Sequence, residues 1–407
     1  MPLPFRAPGR VLGAFLAAVI VAGCSSSTHP RTTPASTPSS SLDLVPATTA
    51  AVPTTPAPPR AVPGRPAFDP QSVTFVSDSL GWAWGPTPAG ITTGSIPGVL
   101  ARTNNYGRTW AVVPTPGINY AGAGFTQDRS AFGVRFTDSS HGFLFGDALF
   151  ATADSGITWT QEPAPHPILD LEAGAGVAYA LMRDCPTADQ CQTAHLYQVQ
   201  NGGRRLAQVL GPSVSAQSNL VVRGTTLYLL SASLTGTNGF PGPMSLWARS
   251  LGSAWQQLAT PCGWSGALGG ALAAWSGSGL ALVCGGEPSA GQQLKTAYSS
   301  TNGGRHWQSA AASPTSAGYV ASLAAAGPTT WALGESRGQI EVTHDAGRTW
   351  STVDPTGSSE PEEGFWNVGF TDAIHGVAVS STPYGSVLAF TYDAAHTWIP
   401  AQFPGAG

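Results

Sequence analysis

Thr152-Ala-Asp-Ser-Gly-Ile-Thr-Trp159 decides the fold, because the same eight-residue pattern returns along the chain. It recurs as Thr343-His-Asp-Ala-Gly-Arg-Thr-Trp350, Thr391-Tyr-Asp-Ala-Ala-His-Thr-Trp398, Thr103-Asn-Asn-Tyr-Gly-Arg-Thr-Trp110 and Ser300-Thr-Asn-Gly-Gly-Arg-His-Trp307. Two decayed copies, Val199-Gln-Asn-Gly-Gly-Arg-Arg-Leu206 and Arg249-Ser-Leu-Gly-Ser-Ala-Trp255, fill the central gap. The last positions (110, 159, 206, 255, 307, 350 and 398) advance by roughly 48 residues each time, so seven copies of one unit account for the chain without a second domain.

Outward from each copy, apolar residues alternate with a period of two. Phe132 to Phe136, the turn Asp138-Ser-Ser-His141-Gly142, Phe143 to Phe145 and Leu149 to Thr152 read as short strands joined by tight turns. Val368 to Phe370, Asp372-Ala-Ile-His375-Gly376 and Val377 to Val379 repeat the scheme in the last unit, and Val73 to Val76 begin it in the first. Four strands per unit, copied seven times, predict an all-β fold: a seven-bladed β-propeller of four-stranded antiparallel blades over residues 68–407. Composition agrees, since only 10% of the 407 residues are charged, against about 25% in ordinary globular proteins, while Gly (50) and Pro (35) are abundant. Coiled coils and helical bundles are excluded. The formal net charge of -4, carried on the positive side by Arg and a single Lys, offers no general basic surface for nucleic acid.

Residues 1–23 read as a secretion signal, with Arg6 and Arg10 before the apolar run Val11 to Ala22. Val21-Ala-Gly-Cys24 resembles the lipobox of bacterial lipoproteins, which implies diacylation of Cys24, cleavage before it, and a domain held at the outer face of the bacterial cell membrane. Residues 24–67 are rich in Ser, Thr, Pro and Ala and read as a disordered stalk. Four cysteines remain, and an even count in an exported chain favours disulfides, Cys185 to Cys191 and Cys262 to Cys284 being the preferred pairing.

The eight-residue pattern resembles the Asp-box, or BNR, repeat of sialidase-like and sortilin-like propellers. That resemblance implies structural roles for Asp154, Trp159, Asp345, Trp350, Asp393, Trp398, Trp110 and Trp307: the carboxylate ties its own turn and the indole fills space between sheets. Asn stands for Asp at 105, 201 and 302, and Ala395 stands for Gly, so looser turns are expected there. Phe75, Asp78, Gly81, Trp82 and Gly85 also match an element of the photosystem II assembly-factor propellers, whose role is non-enzymatic.

No catalytic constellation, cofactor loop or metal-ligand spacing emerges; the sialidase Arg-Ile-Pro signature is missing, and the acid cluster Glu360, Glu362 and Glu363 falls on a predicted loop. The expectation is a monomeric, cell-envelope binding or assembly module, its partner an envelope protein or polysaccharide, with a carbohydrate-active hydrolase of sialidase-like type as the alternative. Variable insertions fall in the loops joining second to third strands and blade to blade. Candidate binding residues there are Tyr120, Asp128, Arg129, Arg183, Glu287, Lys295, Glu362, Glu363, Phe365 and Trp366.

Overall fold

Alternating apolar positions become strands wherever a tight turn lets the chain reverse, and in the computed structural model they do so in seven successive sheets. The described residues run from Asp69 to Phe403, apart from 88–95, 116, 121–129, 175, 185–192, 216–217, 233–242, 264–268, 338, 356–363, 383–384 and 402. The signal, the lipobox, the stalk and the Cys185 to Cys191 pairing lie outside them.

Each blade is an antiparallel sheet whose strands follow one another in sequence. The seventh, for example, runs Phe365–Phe370, Gly376–Thr382, Gly385–Thr391 and Ile399–Pro400. The first strands, Ser72–Phe75, Gly133–Phe136, Ile168–Gly174, Ser218–Arg223, Gly270–Ala274, Val320–Ala325 and Phe365–Phe370, are innermost and face one another around the ring. Two sheets exceed four strands. Asn119–Tyr120 pairs with the start of Ile96–Thr103 and, in parallel, with Ser130–Ala131, and Val214–Ser215 pairs with Thr193–Gln200.

Blade seven meets blade one without exchanging a strand. Phe390 packs edge-on to Tyr106 and Phe75, with ring centroids 5.5 and 5.9 Å apart, and the Tyr392 hydroxyl donates to the Tyr106 carbonyl at 3.0 Å. Gly107 permits this approach, since a Cβ there would lie 2.3 Å from Phe390 Cζ. Elsewhere too the seams are apolar: Trp82 stacks on Phe136 across blades one and two (3.6 Å, 2°) while its Nε1 donates to Ser155 O at 3.1 Å. A disulfide joins Cys262, beyond the last strand of blade four, to Cys284 in the second strand of blade five, closing a separation of 22 residues.

The repeated turn is a closed hydrogen-bond unit. Thr152 Oγ1 donates to Asp154 Oδ1 (2.8 Å) and accepts from Gly156 N (3.0 Å), while Asp154 Oδ1 accepts from Thr158 N (2.8 Å). The Thr158 hydroxyl donates to Asp154 Oδ2, and this bond, with the Thr158 N–H, holds the carboxyl below its usual range. The same geometry recurs at Asp345 and Asp393. The expectation of looser turns at Asn105 and Asn302 is corrected: Thr109 N and His306 N each reach the Asn Oδ1 at 2.9 Å. The bond needs only a carbonyl-like oxygen, and Asn105 Nδ2 reverses the remaining bond by donating to Thr109 Oγ1 at 2.8 Å.

Two consecutive residues of each of the better-formed turns take positive φ, as in Ser155 (66°) and Gly156 (92°); in blade seven both are alanines, Ala394 (59°) and Ala395 (70°). Left-handed backbone is costly for Ala. Ala395 is fully buried, so its methyl also packs, whereas Ala394 is half-buried. Ala394→Gly is therefore expected to stabilise the fold by about 0.5–1 kcal/mol in denaturant titration.

Candidate functional site

The turn between first and second strands and the repeated turn between third and fourth emerge on one rim; the second-to-third loops and the blade connections emerge on the other. On the turn-bearing rim the charges are sorted. Blades two, six and seven present Asp154, Asp345 and Asp393, together with Asp138 and Asp372 of the first turns, the last two held by His141 (3.0 Å) and His375 (2.7 Å). Blades three to five present none of these acids: Asn201 and Asn302 stand at two Asp positions, and blade four has no equivalent.

Cavities accompany this change. A cleft of about 540 Å³ opens between blades three and four, along Gln198, Gln208, Leu210, Trp247, Arg249 and Trp255. A second cavity of about 280 Å³ lies on the other side of the blade-four turn, where Arg249, Ser253 and Ala254 are shared and Arg305 is added. Leu210, at 89% exposure, projects at the first cleft. The decayed repeat explains the opening. Its blade-three copy ends in Leu206 rather than Trp, and the blade-four stretch lacks the Thr-Asp pair that ties the turn elsewhere. Trp255 Nε1 is buried without a hydrogen-bond partner, whereas Trp307 and Trp350 donate to Ala259 O and Ala312 O, each at 3.2 Å.

The innermost strands bring a second group of charges together. Arg135 Nε and Nη2 donate to Glu172 Oε1 at 3.1 and 2.8 Å, and Nη1 donates to Val134 O at 2.9 Å. Asp170, two residues from Glu172 along the same strand, is pushed up to about 7 by burial and then by the Glu172 charge, with Arg135 pulling the other way. This places a carboxyl that gains and loses its proton near neutrality beside a second, Arg-held carboxylate. Among the described residues, no group of three or more His, Cys, Asp or Glu side chains is arranged to hold a metal.

The structure disperses the candidate binding residues. The insertion Gly285 to Lys295 is a strand extension: Leu280–Ser289 and Gln292–Ser300 continue to a tight turn at Ala290 and Gly291, with a bulge between Gly285 and Pro288. Glu287 stays exposed there, but the expectation that Lys295 contacts ligand is corrected. Its Nζ is buried, 2.6 Å from Glu335 Oε1, and donates to Thr315 O (2.8 Å) and Ala317 O (2.6 Å). Phe365, 1% exposed, belongs to the apolar seam of blades six and seven, and Arg183 ends a strand at 9% exposure; neither is a loop residue. The apolar demand of the seam claimed Phe365. Tyr120 is half-buried in a short strand and Trp366 half-buried in the innermost strand of blade seven. Asp128, Arg129, Glu362 and Glu363 lie outside the described residues. The cleft residues were missed because Trp247, Arg249 and Gln208 sit on strands, although the absence of acids around them is visible in the sequence.

No protein-family model and no curated protein matches the chain. Solved structures do. The chain is similar to YCF48 bound to D1 peptide, at 15% identity and a TM-score of 0.54 over 82% of this chain and 95% of that one. It is likewise similar to YCF48 from Cyanidioschyzon merolae, at 13% identity and a TM-score of 0.55 over 83% and 98%. A puromycin-hydrolyzing peptidase of Mycobacterium tuberculosis matches at 13% identity and 0.51, over 84% of this chain and 54% of that one. These likenesses establish the seven-bladed propeller as the class to which the fold belongs.

Proposed function

We propose that the protein is an exported, lipid-anchored module of a bacterial cell envelope whose propeller, built on Asp-box repeats, binds or helps assemble a partner without catalysing a reaction. The make-up of the larger cleft carries this reading: indoles, side-chain amides and a guanidinium line it, with no carboxylate, imidazole or thiol among them. Such groups stack, donate hydrogen bonds and attract charge, but they do not exchange protons near neutral pH. The likeness to YCF48 over nearly the whole of its chain, one example carrying a peptide, supports a propeller that acts by holding a partner.

The lipobox supports the anchor, and Cys24→Ala tests it. Full-length protein is expected in the detergent phase of a Triton X-114 partition and the variant in the aqueous phase, because several acyl chains at about 0.8 kcal/mol per buried CH₂ are lost together. A variant that stays with the detergent defeats the anchor.

A carbohydrate-active hydrolase is the second reading, favoured by the paired carboxyls of Asp170 and Glu172. Under that reading the protein releases new reducing ends from a glycan and Asp170→Asn stops it. Under ours, no reducing ends form.

A further inference from the structure

Between His195 and Glu287 the chain contains no Asp, Glu, Lys or His; its charged side chains there are Arg204, Arg205, Arg223 and Arg249, four positive charges in a protein whose formal net charge is -4. The fold gathers them on one rim. Arg204 closes the 3-10 turn Asn201–Gly203, donating from its N to Asn201 O at 3.4 Å, and Arg205 opens the next strand. Arg223 ends the innermost strand of blade four, Arg249 precedes the blade-four turn, and Arg305 lies in the turn of blade five. Arg204, Arg205 and Arg305 are exposed, while Arg223 and Arg249 are half-buried.

The replacement of Asp by Asn at 201 and 302 acquires a reason in this setting. The backbone bond at 302 is kept with an amide oxygen at 2.9 Å, so the turn does not need the charge, and the repeated turns of the sector carry no acid while their fold is preserved. The acids of the same rim's turns sit in blades one, two, six and seven, Asp78 being the one in blade one. Within the basic sector lie the two cavities, which share Arg249 and hold no carboxylate among their lining residues.

We propose that this sector of blades three to five is a binding site for an acidic oligosaccharide, of the uronate type, laid across the blade-four turn. The inference rests on the binding-module reading and gives that module its ligand class. Carboxylates of the glycan pair with Arg249 and Arg305, whose planar guanidinium groups match a carboxylate in two parallel bonds. The sugar rings lie against the part-exposed indoles of Trp247 and Trp255, and hydroxyls meet the amides of Gln198 and Gln208. A polyphosphate chain fits less well, since five arginines on a net acidic protein oppose its charge density weakly. An acidic peptide added as a strand would find a free edge of only four residues, Arg205–Gln208.

Calorimetry on the full-length protein tests the assignment with tetragalacturonate, its methyl ester, a tetra-aspartate peptide and a single-stranded oligonucleotide. The uronate is expected to bind, the uncharged ester at least tenfold more weakly, and Arg249→Gln and Arg305→Gln each to weaken the uronate about tenfold, the scale of one lost charged hydrogen bond. Arg348→Gln, on the exposed turn of blade six, is expected to leave binding unchanged. Absence of uronate binding, equal binding of the ester, insensitivity to both blade-four and blade-five substitutions, or tighter binding of the peptide or oligonucleotide overturns the proposal. None of these outcomes touches the membrane partition, and hydrolysis of the probe, rather than failure to bind it, is what would defeat the binding-module reading.

Discussion

Trp82→Ala is expected to destabilise the propeller by about 3–5 kcal/mol, enough to unfold much of a marginally stable domain at growth temperature. The size follows from where the indole lies. Trp82 is fully buried, stacks flat on Phe136 across the seam of blades one and two, and ties its Nε1 to Ser155 in the blade-two turn. Truncation leaves a cavity shared by two sheets, so neither blade can close it alone. Trp159, in the same seam but half-buried, should cost less. Trp82→Phe keeps the stacking and loses the bond, with an expected cost of about 1–3 kcal/mol for the Ser155 carbonyl left behind. Guanidinium titration of the three variants checks the order; equal midpoints for Trp82→Ala and wild type would show that the seams do not carry the fold.

Lys295→Ala is expected to be as damaging, about 3–5 kcal/mol, because it removes the cationic partner of a buried acid pair rather than merely opening a hole. Lys295 and Glu335 are 0% and 1% exposed at their side chains, and Glu341, also 1% exposed, accepts from Thr315 N at 2.8 Å in the connection that leads into blade six. The ammonium pairs with Glu335, whose carboxyl in turn meets that of Glu341. Burial pushes Glu335 up to about 8, Lys295 opposing it and Glu341 adding to the rise, so the folded protein keeps a proton that the unfolded chain releases near pH 4.5. The sign is therefore that this contribution is complete below pH 4.5 and is lost as pH rises through 8. Glu335→Gln removes that slope: its unfolding free energy should stay flatter between pH 5 and 8 than that of the wild type. Parallel pH profiles for the two proteins would contradict the assignment.

The repeat made the blades legible because each turn is local. Thr152 to Trp159 carries its own hydroxyl, carboxylate and glycine, and nothing distant is needed to form its bonds. The strand boundaries followed from it within a few residues, as at Gly133–Phe136 and Gly142–Phe145. The site was less legible for a physical reason. Length variation pointed to the loops opposite the turns, yet the insertion holding Lys295 continues the ladder and buries its lysine, and Phe365 answers to the packing of a seam. Tyr106 shows the same override, since a turn residue with φ of 53° proves to be a buried contact closing the ring. The arginine that holds Glu172 was likewise out of reach, because Arg135 and Glu172 are far apart in sequence and meet through adjacent innermost strands. By contrast, the acid-free stretch from Leu196 to Gly286 was readable without coordinates; only its gathering on one rim required the fold.

Which surface of the propeller meets a ligand separates the blade-three-to-five site from its alternatives. Hydrogen exchange of the full-length protein, with and without saturating tetragalacturonate, measures this directly. Slower exchange is expected in Arg205 to Pro212 and Ala248 to Trp255, the two walls of the larger cleft. Protection confined to the innermost strand Ile168–Gly174, or to the hairpin around Glu287, would place the ligand against the innermost strands or on the opposite rim and contradict that site.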